Sequence, residues 1–312
     1  MDLRPLGFGE IFDRAITLYI ANFVPFVGIV MVMVVPLAVM QYFIDLASQP
    51  QFDAMIRLFE HPETARSQPM PTMFDSPVSV VMVILTLLVA TVLWPFALNA
   101  VAVGVARLYR GRPVEFRACY EAVTRRWTQV LGMLGMQILV MLAWYLVVLI
   151  VVIGIVVTVA LLGALSPVAA FWLGFGGALL GFAVALPALA PLFIALTFAM
   201  YSVVIEDLGV MASLRLGFAR VFNRGEFWRA MLFAIAAAAV VLGGSAVFAM
   251  LGLLAAFAHL PSVQAVIESL TRAVVTPFGV VLLAIYYFDV RIRREAFDLE
   301  ASLEHLTAAY AT

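Results

Sequence analysis

The sequence predicts an all-α integral membrane protein: six transmembrane helices with interfacial amphipathic helices, arranged as three repeated units of surface helix plus two spans. The first observation behind this prediction is composition, because 65% of the residues are hydrophobic and only 12% are charged. A soluble protein carries about 25% charged residues. The second observation is that long uncharged apolar runs alternate with clusters of arginine. Both features are typical of a multi-pass membrane protein.

The first element is a surface helix that leads directly into a span. Between residues 8 and 19 the apolar side chains fall on one helical face and the charged ones on the other. After Asn22 the chain loses all charge up to Asp45. The apolar face of this first helix consists of Phe8, Ile11, Phe12, Ala15, Ile16 and Tyr19.

Each uncharged run is long enough to cross a bilayer, which takes about 20 residues. The runs cover residues 22–44, 78–106, 129–160, 168–205, 230–258 and 273–288. Arginine clusters lie on both sides of residues 129–205, and the positive-inside rule keeps both in the cytoplasm. An even number of crossings must therefore separate them, which predicts two helices broken near Ser166-Pro167. We expect both termini to be cytoplasmic in a bacterial inner membrane, with no cleavable signal peptide.

Two segments outside the spans also have helical patterns. In the predicted outer loop, residues 46–77, apolar side chains share one face and predict a short helix resting on the outer leaflet. These side chains are Phe52, Met55, Ile56 and Phe59. Residues 295–312 are predicted to form a cytoplasmic C-terminal helix with one apolar stripe, made of Leu299, Leu303, Leu306 and Tyr310.

The chain is predicted to be a single membrane domain, 1–312, built from three similar units at 6–110, 113–206 and 207–294. Each unit begins with an amphipathic segment that ends in an aromatic residue beside a polar one. Each second span contains a proline, at Pro95, Pro191 and Pro277, that we expect to kink the helix. The alternative is that proline is simply common in membrane helices; the shared spacing favours repetition.

Three segments resemble one known family. They are LRPLGFGEIFDRAITLYIANFVPFVG, EDLGVMASLRLGFARVFNRGEFWRA and AIYYFDVRIRREAFDLE. They are similar to the membrane domain found with bacterial glycerophosphoryl diester phosphodiesterases. The resemblance implies a six-helix integral domain that is sometimes fused to a catalytic barrel. Such a barrel needs about 250 residues, and no soluble segment of that size is present, so the resemblance does not imply hydrolysis.

The sequence gives no pattern for catalysis, a cofactor or a metal. The apolar runs contain no Asp, Glu, Lys or Arg, although proton and ion relays generally need ionisable groups within the membrane. His61, His259 and His305 are too scattered to share one metal site. We therefore expect a protein that is not an enzyme, that binds no cofactor or metal, and that has membrane lipids rather than nucleic acid as partners. A protein partner or a homo-oligomer is also possible.

Polar side chains within the spans have two interpretations. Asn99, Gln137 and Tyr201 either line a ligand path or make hydrogen bonds to neighbouring helices and kinked backbone. The second interpretation is favoured for Asn99 and Gln137. A continuous polar cavity lined by all three would favour transport, whereas a packed interior would favour a scaffold.

The strongest functional candidate is a set of arginines that we call the rim arginines. They are predicted to face the cytoplasm and to bind anionic lipid headgroups or a protein partner, each contributing about 1 kcal/mol to lipid binding. The alternative is that they only set the topology of the chain. The rim arginines are Arg14, Arg117, Arg125, Arg126, Arg215, Arg220, Arg224, Arg229, Arg291, Arg293 and Arg294.

The predicted function is that of a non-enzymatic inner-membrane scaffold or accessory subunit that acts through lipid or protein contacts at its cytoplasmic rim. The rival is a transporter or permease for a neutral or lipid-like substrate. Internal repeats and proline kinks favour that rival, whereas the charge-free runs argue against ion coupling. An intramembrane lipid enzyme ranks last.

Overall fold

The computed structural model describes residues 4–60, 77–163, 166–258 and 260–295, and within these ranges it confirms the all-α fold. Long helices alternate with short amphipathic ones. The helices are α1 (Phe8–Ala21), α2 (Phe23–Glu60), α3 (Pro77–Tyr109), α4 (Phe116–Thr124), α5 (Trp127–Gly163), α6 (Pro167–Ile205), α7 (Val210–Val221), α8 (Phe227–Phe257) and α9 (Pro261–Glu295).

Six of these helices are long and apolar enough to cross a membrane, namely α2, α3, α5, α6, α8 and α9. The prediction of six spans is therefore confirmed on length and composition. The predicted break between the third and fourth spans is also confirmed. Ser166 begins α6 by accepting a hydrogen bond from the Ala169 backbone N–H at 3.4 Å, and Pro167 occupies the first helical turn. Both are favoured helix-start residues.

The prediction that the outer loop begins at residue 46 is wrong. Helix α2 continues through this segment to Glu60, so the residues expected to form a separate surface helix extend the span instead. Pro50 removes one backbone donor, but helix continues on both sides of it. The change to polar residues after Ile44 marks a change of environment along one helix, not its end. Residues 61–76 of the predicted loop lie outside the described residues.

Helix α9 also extends beyond its apolar run. It begins at Pro261, twelve residues before the predicted span, and therefore includes Glu268 and Arg272. With Asp45 in α2, these residues show that the helices containing the apolar runs do carry ionisable groups. The predicted C-terminal helix, 295–312, lies outside the described residues after Glu295.

The described residues form two compact units. The first contains the chain up to Thr124 and from Ala239 onward, and α9 is its central helix, contacting α1, α2 and α3. The α9 residues Tyr286, Tyr287 and Phe288 are fully buried, and the Phe288 ring stacks on Tyr109 with 4.4 Å between centroids. Aromatic packing of this kind fixes the C-terminal part of α9 against α3.

All three prolines of the predicted kinks lie inside helices and are buried. Pro95 and Pro277 belong to the first unit, and Pro191 to the second. A proline in a membrane helix leaves a backbone carbonyl without its usual partner, which is tolerated where neighbouring helices cover it. Burial of each proline meets that requirement.

The second unit extends from Arg125 to Ala238 and is organised around α6, which packs against α5 and α7. Glycines in the first half of α6 face α5. A Cβ atom added at Gly174 would lie 3.2 Å from the Val159 side chain, and one at Gly177 would lie 3.3 Å from Ile155. Small residues thus let the two helices approach closely, as is common between membrane helices.

Helix α7 packs mainly through small and polar residues. Its apolar side chains Met211, Leu214, Phe218, Val221 and Phe222 share one helical face. Of these only Val221 is buried, and the other buried residues of α7 are Ser213, Gly217 and Arg220. Gly217 explains this orientation, because a Cβ there would clash with the Ala195 carbonyl oxygen and would lie 2.8 Å from the Ala199 nitrogen. Only glycine allows α7 to lie this close to the backbone of α6.

Replacing Gly217 with alanine should therefore destabilise the second unit by about 1–3 kcal/mol, the usual cost of overpacking. The clash is with backbone atoms, which cannot rotate away. The measurement is thermal unfolding of the purified protein in detergent. Gly135→Ala is the matched control, because an added Cβ at this position in α5 meets nothing within 4 Å. Equal unfolding temperatures for the two variants would contradict the close α6–α7 contact.

Candidate functional site

In the first unit, one buried carboxylate joins the start of the chain to the end of the last helix. Asp289 in α9 has 0% exposure, and its Oδ1 accepts a hydrogen bond from the Leu6 backbone N–H at 2.6 Å. Its Oδ2 accepts from Arg293 Nε at 3.0 Å, and Arg293 also donates to the Leu6 carbonyl. The Asp289 carboxylate and the Arg293 guanidinium therefore neutralise each other within the fold. Removing either side chain would leave the other charge without its partner.

Helix α1 is held at both ends. At its start Glu10 accepts hydrogen bonds from the Gly7 N–H and from Arg4, each at 2.7 Å. These contacts, the backbone bond first, hold the pKa of Glu10 below its usual value. Near its end the Tyr19 hydroxyl donates to the Val274 carbonyl of α9 at 2.7 Å, and burial raises the pKa of Tyr19 to about 12. Tyr19 therefore stays a neutral donor.

Helix α4 is attached to α2 and α3 by two side chains. The Tyr120 hydroxyl donates to the Ile29 carbonyl of α2 at 2.7 Å. Cys119 is fully buried, and a Cβ at Gly104 of α3 would lie 3.6 Å from its sulfur. Burial raises the pKa of the Cys119 thiol to about 11, so the reactive thiolate is disfavoured at neutral pH. Cys119 thus acts as a small packing residue.

In the second unit, Arg220 attaches α7 to the end of α6. Its side chain is 3% exposed and donates to both carboxylate oxygens of Glu206, at 2.7 and 3.0 Å. It also donates to the Ser202 hydroxyl at 2.8 Å. Two parallel hydrogen bonds between a guanidinium and a carboxylate form the strongest geometry for such a pair. Arg220 is therefore a structural residue and is not exposed to lipid headgroups.

Asp207 connects the same corner to the start of α5. It follows the end of α6 with a positive φ of 61°, a left-handed conformation that usually favours glycine or asparagine. Arg126 donates to its carbonyl at 2.8 Å and pairs with its carboxylate, and Arg125 lies 3.5 Å from the same carboxylate. Two arginines thus hold Asp207 in a conformation that a non-glycine residue rarely adopts.

The rim arginines fall into two groups. One group is used within its own unit. Four arginines of this group pair with Asp289, Glu206 or Asp207, namely Arg293, Arg220, Arg125 and Arg126. The group also contains Arg229, which lies 3.6 Å from Glu226, Arg291, which lies over the ring of Tyr287, and Arg14, which is half-buried beside Tyr109. The other group is exposed and makes no ion pair with another described residue: Arg117, Arg215, Arg224 and Arg294. All four side chains of this second group are available for headgroups or a partner.

Two of the three polar residues predicted to lie within the spans donate hydrogen bonds to backbone carbonyl groups. Asn99 donates to the Pro95 carbonyl of its own helix at 2.7 Å. Gln137 in α5 donates to the Leu196 carbonyl of α6 at 2.9 Å, an interhelical bond of the predicted kind. Tyr201 is buried in α6. Each of the three lies in its own packed surroundings, and none of them lines the cavity described next.

Sequence reasoning missed a cavity of about 620 Å³ in the first unit, formed by α2, α8 and α9, whose mainly apolar lining includes several ionisable and amide side chains. The ionisable residues of the cavity lie just beyond the predicted ends of the apolar runs. The sequence pattern that could have indicated the cavity is the spacing of four residues between Gln41 and Asp45 and between Gln264 and Glu268, which places each pair on one helical face. The lining residues are Gln41, Ile44, Asp45, Ser48, Gln49, Ser245, Phe248, Ala249, Gly252, Leu253, Ala256, Gln264, Glu268, Thr271 and Arg272.

Comparison with known protein families finds a match over nearly the whole chain. Residues 1–311 match a family described as a domain of unknown function (DUF8558), and the chain belongs to this family. Neither the comparison with curated proteins nor that with solved structures finds a match.

Replacing Arg220 with glutamine should destabilise the second unit by about 3–5 kcal/mol, because Glu206 would remain buried without its partner. Thermal unfolding in detergent is the measurement. Arg215→Gln on the exposed side of the same helix is the control, with an expected change within about 0.5 kcal/mol. The double variant Arg220→Gln, Glu206→Gln should recover part of the loss. Equal stability of the two single variants would disprove the structural role of Arg220.

Proposed function

We propose that this protein is a non-enzymatic scaffold or accessory subunit of the bacterial inner membrane. It would act through contacts between its cytoplasmic rim and anionic lipid headgroups. The observation that carries the proposal is the orientation of α7, whose small and polar side faces α6. On its apolar side Met211 is 56% and Phe222 47% exposed, and Leu214 and Phe218 are half-buried. In a soluble protein such a face would be a liability, whereas at a bilayer surface it is the face that enters the lipid.

The charges around this apolar face support a lipid surface as the partner. Arg215 lies one turn after Met211 on the same side of α7, and Arg224 is exposed just beyond the helix end. Trp228, at the start of α8, is 63% exposed. Apolar side chains flanked by arginine and tryptophan are typical of a helix at headgroup depth. The acids of this unit do not neutralise these arginines, because Glu206, Glu226 and Asp207 pair with Arg220, Arg229 and Arg126.

Neutralising both exposed arginines, Arg215→Gln with Arg224→Gln, should weaken binding of anionic lipid by about 30-fold. The estimate uses about 1 kcal/mol for each arginine near the surface. The measurement is titration of delipidated protein in neutral detergent with fluorescent phosphatidylglycerol, and phosphatidylcholine serves as the uncharged reference. Raising the ionic strength should reduce the difference between wild type and variant.

The matched control for that experiment is Arg57→Gln, compared with Arg215→Gln alone. Arg57 is also exposed, but it lies near the far end of α2. We expect its loss to leave phosphatidylglycerol binding unchanged. If Arg57→Gln and Arg215→Gln lower the affinity equally, then the binding reflects net charge only, and the rim proposal fails.

The cavity in the first unit favours a second candidate function, a transporter or permease for a neutral or lipid-like substrate. Ser245 of α8 lines that cavity and can be replaced by cysteine, and the native Cys119 is buried and gives little background. A transport path should make Ser245→Cys react with a membrane-impermeant maleimide from either side of proteoliposomes. Labelling from one side alone would contradict transport and leave the scaffold proposal in place.

A further inference from the structure

Asp45, which belongs to the lining of this cavity, has a carboxylate oxygen with no hydrogen-bond partner among the described residues. Asp45 is 9% exposed and lines the cavity, and its Oδ2 is buried without a hydrogen bond. We propose that this cavity binds an ammonium group carried on an apolar body, with Asp45 as the acceptor. The inference is independent of the lipid contacts proposed for α7, because it concerns other residues in another unit.

The two carboxylates of the cavity have matching surroundings except at this oxygen. Gln41 donates to Asp45 Oδ1 at 2.8 Å from one turn earlier in α2. Gln264 donates to Glu268 Oε1 at 3.1 Å from one turn earlier in α9. Glu268 Oε2 pairs with Arg272 at 3.6 Å. Three of the four carboxylate oxygens are therefore occupied, and Asp45 Oδ2 is the one left over.

The charge balance of the lining favours a cation. Two carboxylates and one guanidinium are its ionisable groups, so one negative charge remains uncompensated. A buried carboxylate without a partner is strongly unfavourable, which is why such groups in membrane helices pair with something. The outer torsion of an aspartate is broad, so either oxygen can turn towards a bound cation.

The shape of the cavity favours an amphiphilic ligand over a bare ion. Its volume falls within the range of about 300–1,000 Å³ that is common for small-molecule sites. Apolar side chains, among them Phe248 and Leu253, line the wall formed by α8, opposite the polar groups of α2 and α9. The hydroxyl groups of Ser48 and Thr271 and the side-chain amide of Gln49 also belong to the lining. An ammonium group would meet the acids while its apolar body contacts α8.

The depth of the cavity agrees with such a ligand. Glu268 lies 21 residues before Asp289 in the continuous helix α9. At 1.5 Å per residue this is about 32 Å, close to the thickness of the bilayer hydrocarbon core. The polar groups of the cavity are thus placed near the membrane interface remote from Asp289. An aminophospholipid headgroup and a free amphiphilic amine share the required ammonium and both reach this depth.

The test uses the full chain in nanodiscs of phosphatidylglycerol, which has no amine. Hexylamine and hexanol are compared by isothermal titration calorimetry, since they share a tail and differ in the ammonium group. We expect wild type to bind hexylamine at least tenfold more tightly than hexanol. Asp45→Asn, which keeps the shape and removes the charge, should weaken hexylamine binding by about 10- to 100-fold, the usual effect of losing a charged hydrogen bond.

Two further variants make the result specific. Asp53→Asn is the matched control, because Asp53 lies two turns further along α2 and does not line the cavity. It should leave the affinity unchanged. Ala249→Phe narrows the cavity from α8 without altering any charge and should also weaken hexylamine binding. Because this variant keeps Asp45, it tests the site even if the Asp45→Asn variant fails to fold.

A second arm identifies the source of the ammonium group. Dihexanoyl phosphatidylethanolamine and dihexanoyl phosphatidylcholine differ at the nitrogen, which can donate hydrogen bonds only in the former. Asp45-dependent binding of the ethanolamine lipid above that of hexylamine assigns a lipid headgroup, whereas binding of hexylamine alone assigns a free amine. Absence of hexylamine binding, equal binding of hexanol, or full affinity in Asp45→Asn would each overturn the proposal.

Discussion

The buried Asp289 carboxylate is the interaction on which the first unit depends most directly. It accepts hydrogen bonds from the Leu6 backbone and from Arg293, so it fixes the start of the chain to the end of the central helix α9. The same helix carries the fully buried Tyr286–Phe288 segment, and its Val274 carbonyl accepts a hydrogen bond from the Tyr19 hydroxyl. Lipid tails are as apolar as a leucine side chain, so the hydrophobic effect does little to join membrane helices. Polar contacts of this kind therefore contribute a larger share of the association free energy.

In the second unit other polar and small residues hold the helices together. Arg220, Glu206 and Ser202 form a buried network, and Gly217 lets the backbone of α7 approach α6 closely. In both units polar or small residues thus help to hold the short helices, in α1 together with buried apolar side chains such as Ile11 and Leu18. Met211 and Phe222 on the apolar side of α7 consequently stay exposed, unlike the usual arrangement in soluble proteins, where the apolar face of a helix is the one that packs.

The sequence predicted the helical class, the six spans and the break at Ser166-Pro167, because uncharged length and arginine position respond directly to the bilayer. It did not predict where α2 ends, since the polarity changes after Ile44 while the helix continues to Glu60. It did not predict the contact at Gly217, because that contact depends on a backbone remote in sequence. The partner of each arginine is likewise a tertiary property, so Arg215 and Arg220 could not be distinguished in advance. The three-unit repeat stays a prediction.

The length of α2 has a geometric consequence. Its 38 residues measure about 57 Å from end to end. A bilayer with its headgroups is about 40–45 Å thick, and the average tilt of about 20° shortens the projection of α2 only to about 54 Å. A straight α2 is therefore about 9–14 Å longer than the bilayer is thick, so part of it must lie outside the headgroup layers. An antibody fragment that binds this part would give a small membrane protein a recognisable feature for electron cryomicroscopy.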